Sequence, residues 1–196
     1  EYYSVTWRGT WAGEQGGSVV GHAIHAHDIL CQILGPVARV SASLATSVNA
    51  IETEDTAALS WRTQDDALVT SSVTLGAATN ESCLKVMFEG LTAQSGSSPY
   101  ALATDDWTFT ARASDQAAID AVLATVPAQP VGFKGFLADV AAALRSEANQ
   151  VVTLADGRAS IELITAIYHA DRTQAWVALP LPQAIEIYDG WQPKEA

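Results

Sequence analysis

His22, His25, His27 and Asp28 fall within one seven-residue stretch, in the run Gly16-Gly17-Ser18-Val19-Val20-Gly21-His22-Ala23-Ile24-His25-Ala26-His27-Asp28. Imidazole is the side chain most easily placed to exchange protons near neutral pH. Asp28 follows His25 by three positions, so on a helix the two are neighbours, and the carboxylate can orient the ring or raise its basicity. Gly16 and Gly17 allow a ligand or another backbone to come close to the start of such a helix. Three readings are open. His25 works in a cleft as a proton-exchanging or substrate-binding group; His22, His25 and Asp28 hold a metal; or the histidines are hydrogen-bonded packing residues. A metal needs three or four well-placed ligands. The chain has no HExxH and no second Cys/His cluster, and its remaining histidine is His169.

Near this run lie Tyr2, Tyr3, Trp7 and Trp11, which can stack on a sugar ring or form core or interface, and Arg8, which can pair with an acidic group of a substrate. Other chemistries find no support. There is no GxSxG elbow and no CxxC. A Walker sequence is missing, and no GxGxxG follows a strand, so a dinucleotide phosphate is not expected to bind here by that route. None of the lysines, Lys85, Lys134 and Lys194, stands in an active-site setting. The acidic run Ile51-Glu52-Thr53-Glu54-Asp55 reads as a solvated turn between strands, with a paired-carboxylate or cation site as the alternative.

The elements that must position these groups follow from pattern. Ser18 is placed to cap a helix over 19–34, with Val19, Ala23, Ala26, Leu30, Ile33 and Leu34 toward the core and Gly35-Pro36 as the stop. His22, His25 and Asp28 project from another side, and His27 lies at the edge of the apolar stripe. Strands are expected from Val37 to Leu44, continuing over 48–51, and at 56–62, 67–75, 84–88, 91–94 and 107–111. The short polar turns between them imply an antiparallel meander. Residues 95–106 read as a loop. Helices return at 115–126, at 131–147 with Phe133, Phe136, Leu137, Val140 and Leu144 on one face, and at 156–173 with Leu163, Ile164, Ile167 and Ala170 facing inward. One helix, a run of sheet, then helices is an α+β arrangement with helices on one face of an antiparallel sheet.

The 196 residues suffice for one domain with a substantial core, and 48% hydrophobic against 16% charged is a globular composition. A net charge of -12 repels phosphate backbones and anionic lipid, so neither nucleic acid nor a membrane is an expected partner. No apolar run approaches the length of a membrane helix and no secretory signal pattern is present, so a cytoplasmic location is expected, with Cys31 and Cys83 as free thiols.

Three blocks, in order, resemble the C-terminal domain of the Gfo/Idh/MocA oxidoreductases. The first is WRGTWAGEQGGSVVGHAIHAHDILCQILGPVARVSA, with the family's Gly-rich turn, HxxD and helix-ending Gly-Pro. The second is IETEDTA at 51–57, and the third is ADGRASIELITAIYHADRTQAWVALPL at 155–181. The resemblance implies a large, mostly antiparallel open sheet with helices packed on one face, of the dihydrodipicolinate-reductase-like C-terminal type. It further implies that the supplied chain is a single C-terminal substrate-binding and oligomerisation domain. An N-terminal Rossmann domain outside the chain would bind NAD or NADP and carry the family's lysine in an EKP-like motif, which Pro193-Lys194-Glu195 is not.

It implies a sugar or polyol as substrate, homo-oligomers through the sheet face, and no activity for this chain alone. The matching catalytic residues are His25, which would assist proton transfer, and Asp28. Trp7, Arg8, Trp11, Gly17 and His22 would contact substrate. Many members carry an Asp four residues before the histidine, where this chain has Gly21, so the Asp–His–Lys triad of polyol dehydrogenases is incomplete. A binding or oligomerisation module that kept the fold and lost the chemistry is the second reading, and a metal-dependent hydrolase built on the histidines is the third.

Overall fold

The computed structural model describes residues 2–193, so Lys194 lies outside the described residues. The backbone divides into two compact units, residues 1–78 with 154–196, and residues 79–153.

The first unit is a four-stranded sheet with helices. Its strands are β1 (Val37–Ala45), β2 (Thr56–Thr63), β3 (Leu68–Thr74) and the short β7 (Val177–Ala178), in the spatial order β3-β2-β1-β7. All three pairings are antiparallel. The register sets Val177, Val40, Trp61 and Val69 in one row across the sheet, and all four are buried. Alternation then puts Ala57, Leu59 and Thr63 on the same face of β2. The other face carries Ser41, Ser43, Ala58, Ser60, Thr70 and Ser72, small and mostly polar, with Arg39, Arg62 and the exposed Leu68 at one end. Helices therefore pack on one side only, as the α+β reading requires.

A short helix, α1 (Trp11–Glu14), precedes the histidine-bearing helix, which opens with a π-helical turn at Val19–Ala23 and continues as α2 (Ile24–Leu34). Val19, Ala23 and Leu30 are buried, whereas Ile33 is exposed. Gly35 ends α2 with a positive φ of 84°. The last helix of this unit, α5 (Leu154–Thr173), buries Leu163, Ile164, Ile167 and Ala170 along the expected inner face and packs over β1.

The second unit holds a three-stranded antiparallel sheet, β4 (Lys85–Met87), β5 (Leu91–Gln94) and β6 (Thr108–Ala111), in sequence order, with α3 (Gln116–Leu123) and α4 (Gly132–Leu144). Leu84, Val86, Ala93 and Leu102 are its buried residues. The face of α4 expected to turn inward is not buried: Phe133, Phe136, Leu137 and Leu144 are exposed. Periodicity gives a helix its apolar face but not a surface to cover it.

Two further expectations are corrected. Residues 48–51 do not extend β1; they bend so that successive backbone N–H groups converge on one carboxylate, which a strand cannot do. The acidic run is not a solvated turn either, because Thr53, Glu54 and Asp55 are buried. Their carboxylates replace solvent with backbone donors, which is what burial of a charge demands. No described helix is long and apolar enough to cross a membrane.

Candidate functional site

The helix that carries the histidines is not capped by its own Ser18. That residue is helical at φ -60°, and its buried hydroxyl has no hydrogen-bond partner. The cap comes from Glu54, on the segment entering β2. Gly17 N–H donates to Oε2 at 3.1 Å and Val19 N–H to Oε1 at 3.0 Å, while Ser18 N–H donates to the Glu54 backbone carbonyl at 2.9 Å. The Tyr168 hydroxyl, from α5, donates to Oε1 at 2.9 Å and accepts a second bond from Gly17 N–H at 3.2 Å. Gly17 is required by this closeness, since a Cβ there would sit 1.9 Å from the Glu54 carbonyl oxygen. Burial raises the Glu54 pKa, and the donors of Val19, Tyr168 and Gly17 pull against that rise without cancelling it.

Neighbouring carboxylates do the same for neighbouring segments. Glu52 Oε2 accepts from Trp11 N–H at 2.9 Å, at the start of α1. Asp55 accepts from the N–H groups of Ser47, Val48 and Asn49 at 2.8, 3.0 and 2.7 Å and from the Asn49 side-chain amide at 2.9 Å. Burial pushes the Asp55 pKa up, but these donors outweigh it and hold the carboxyl well below the usual carboxylate range.

The three clustered histidines have three different environments. His27 is a packing residue. It is 3% exposed, its Nε2 lies 3.0 Å from Ser71 Oγ on β3, its ring meets Trp61 edge-on at 5.1 Å, and burial lowers its pKa to about 4. His22 is half-buried, with its ring edge-on to Tyr2 at 4.9 Å. Its pKa is lowered, first by burial; Glu14 opposes that, while Arg8 and His25 add to it. His25 is exposed. Asp28 turns to another side of α2, where its Oδ1 accepts from the Ser160 hydroxyl of α5 at 3.0 Å.

The aromatic segment before α1 lies beside His22. The Arg8 guanidinium sits 3.9 Å from the centre of the Tyr2 ring and 5.0 Å from that of Trp7, a cation–π arrangement. The Tyr2 hydroxyl donates to Glu14 at 2.8 Å, and its pKa is pushed up to about 12 by burial and by that carboxylate. Trp7 is half exposed. Of the residues expected at a site, the structure thus brings Trp7, Arg8, His22 and His25 to the first turns of the helix. It places Gly17 inside the carboxylate cap and Asp28 against Ser160 of α5. Trp11 meets Tyr168 at 6.1 Å, whose ring in turn stacks on Trp191 at 5.2 Å. Glu54, Tyr168 and Glu14 were missing from the expected set. Glu54 was visible as part of a paired-carboxylate run, but its partners lie 35 or more positions away in sequence.

Asp28 and His27 also line a pocket of about 490 Å³ between α2 and α5, with Cys31, Ser160 and Leu163. No three His, Cys, Asp or Glu side chains among the described residues gather as metal ligands. Nor does the helix start fit the pyrophosphate of a dinucleotide. That group sits on free N–H donors, and here the N–H groups of Gly17, Ser18 and Val19 already donate to Glu54.

Residues 1–94 match the family model of the GFO/IDH/MocA C-terminal domain. Among solved structures, the chain is similar to the WlbA dehydrogenase from Bordetella pertussis in complex with NADH and UDP-GlcNAcA. The two are 28% identical with a TM-score of 0.69, over 92% of this chain and 50% of that one. The WlbA dehydrogenase from Chromobacterium violaceum, in the same kind of complex, matches at 28% identity and TM-score 0.69, over 92% of this chain and 51% of that one. The fold is shared with the aldose-aldose oxidoreductase from Caulobacter crescentus complexed with glycerol, at 18% identity and TM-score 0.67, over 89% of this chain and 51% of that one. The chain therefore spans about half the length of the structures it matches. The comparison with curated proteins gave no match.

Proposed function

We propose that this chain is the substrate-side half of a nicotinamide-dependent oxidoreductase acting on a sugar, polyol or related hydroxy compound. The observation that carries the reading is His25: an exposed imidazole on a helix fixed at its start, in a chain that resembles this family, beside His22, which Arg8 also approaches. NAD or NADP, when bound by a Rossmann domain outside this chain, would exchange hydride with the substrate carbon. This chain's residues do the rest. His25 takes the hydroxyl proton in the oxidative direction and returns it in the other, as a general base and acid. Arg8 offers its donors to a carboxylate, phosphate or hydroxyl, and the open face of Trp7 stacks on the sugar ring. An anionic sugar of the kind held by the two WlbA structures matches that guanidinium. Asp28, pinned by Ser160, lies about one turn from His25 and joins α2 to α5. The small, polar outer face of the sheet is the surface for homo-oligomers.

The complete enzyme, assayed with NAD and NADP against sugars, polyols and sugar acids, is expected to reduce cofactor with at least one of them. The 196-residue chain alone is expected to bind neither cofactor by calorimetry. No turnover across the panel, or micromolar cofactor affinity of the chain alone, contradicts the proposal. A non-catalytic module of the same fold is the second reading, favoured by Gly21, which supplies no carboxylate and where a Cβ would meet nothing within 4 Å.

A further inference from the structure

We propose that Glu54 is a positioning residue for His25: its buried carboxylate fixes the first turn of the histidine helix and ties that turn to α5 through Tyr168. The inference rests on the catalytic reading of His25 for its consequence, but not for its geometry.

Three backbone N–H groups at the helix start, of Gly17, Ser18 and Val19, all donate to this one residue. The local cap that sequence offers, Ser18, makes no bond. The turn that follows is π-helical, a wider coil than the α-helix it joins. The N–H groups that precede this turn have their acceptors on Glu54, which ties its start to the segment entering β2. His25 lies six residues beyond Val19, about 9 Å along the axis at the usual rise. A tilt at the cap is therefore carried to the imidazole. Glu54 is 6% exposed and no Lys or Arg forms an ion pair with it among the described residues. The helix dipole and its N–H donors offset part of the cost of burying it. Replacing the carboxylate by an amide takes away one of the two acceptor oxygens that seat the helix, while nothing that touches substrate changes.

The groups facing Glu54 are Tyr168 of α5, Tyr3 of the first segment and the adjoining Asp55. Those facing His22 are Tyr2, Arg8, Glu14 and His25. Both Tyr3 and Tyr168 are raised above the ordinary tyrosine value by burial, and Asp55 is held low, so none of the three titrates between the ordinary carboxylate and histidine ranges.

The test is histidine-ring NMR of the 196-residue chain across pH, with Glu54→Gln, Tyr168→Phe and, as a control for the other nearby carboxylate, Glu14→Gln. The wild-type His25 resonance is expected to show an inflection that follows the protonation of Glu54. That inflection should vanish in Glu54→Gln, weaken in Tyr168→Phe and survive in Glu14→Gln. A His25 curve identical in wild type and folded Glu54→Gln overturns the proposal. Should Glu54→Gln not fold, an unaltered curve in Tyr168→Phe overturns it equally. In the complete enzyme, Glu54→Gln is expected to lower kcat about tenfold or more with KM changed less than about twofold. If His25→Ala leaves turnover intact but the inflection still depends on Glu54, the catalytic reading fails and the positioning stands. If His25→Ala is costly and Glu54→Gln moves neither signal, the positioning fails alone.

Discussion

The start of the histidine helix and the loop Ser47–Asn49 are each held by one buried carboxylate, and the two carboxylates are adjacent, Glu54 and Asp55. Their acid–base behaviour is opposite. Asp55 accepts from three backbone N–H groups, the Asn49 amide and the Thr56 hydroxyl, and its pKa is depressed. Glu54 accepts two N–H groups and a phenol in a drier place, and its pKa is raised. Depth alone does not set the charge of a buried acid; the number of donors set against the desolvation does. The loop is clamped for good, whereas the helix that bears His25 hangs on a group closer to changing state.

Asp55→Ala breaks the stronger clamp and leaves three backbone donors without their acceptor. We expect a loss of about 3 kcal/mol or more, read as a lower urea midpoint at neutral pH. Because the native pKa of Asp55 is depressed, its stabilisation is present above the unfolded value of about 3.9 and is lost as pH falls through the native value. The variant should lose less stability on acidification than wild type does, and an equally steep acid transition would break the contrast.

Glu54→Ala is expected to cost less, about 2 kcal/mol, as the loss of a helix cap with two unpaired donors. Its pH dependence has the other sign. With a raised native pKa, the contribution is full below the unfolded value of about 4.3 and is lost as pH rises through the native one. Wild-type stability relative to Glu54→Ala should therefore shrink with rising pH above that point, in chemical denaturation at a series of pH values. A constant difference would mean that the two carboxylates behave alike.

Gly21→Ala sharpens the comparison at the smallest scale. The position is exposed, helical and open, so alanine should stabilise the chain by about 0.5–1 kcal/mol through backbone entropy without touching the cap. A higher Tm with an unchanged His25 resonance is the expected pair of results.

Much of this architecture was legible in the sequence. The inner stripe of α5 follows from apolar spacing, which records burial directly, and the antiparallel run β1-β2-β3 from the polar turns, whereas β7 beside β1 and the break into two sheets left no such signal. Gly35 marks the end of α2 because a positive φ there suits glycine. The cap at Ser18 was misplaced because capping rules look within a few residues, whereas the true acceptor lies on β2's leading segment. The acidic run looked wet because charge usually is, and its N–H partners carry no side-chain signature. Phe133 and Leu144 share an apolar face, yet a pattern does not say what covers it. Among the histidines, spacing separated the buried His27 from the exposed His25 only weakly, since one helical turn holds both.

The most direct test of the functional account is the turnover of His25→Ala in the complete enzyme, on whichever sugar or polyol it accepts. A fall in kcat of about a hundredfold or more, with KM little changed, is predicted for loss of a general base. A kcat equal to wild type would contradict a role for this imidazole in proton transfer and leave the helix as scaffold alone.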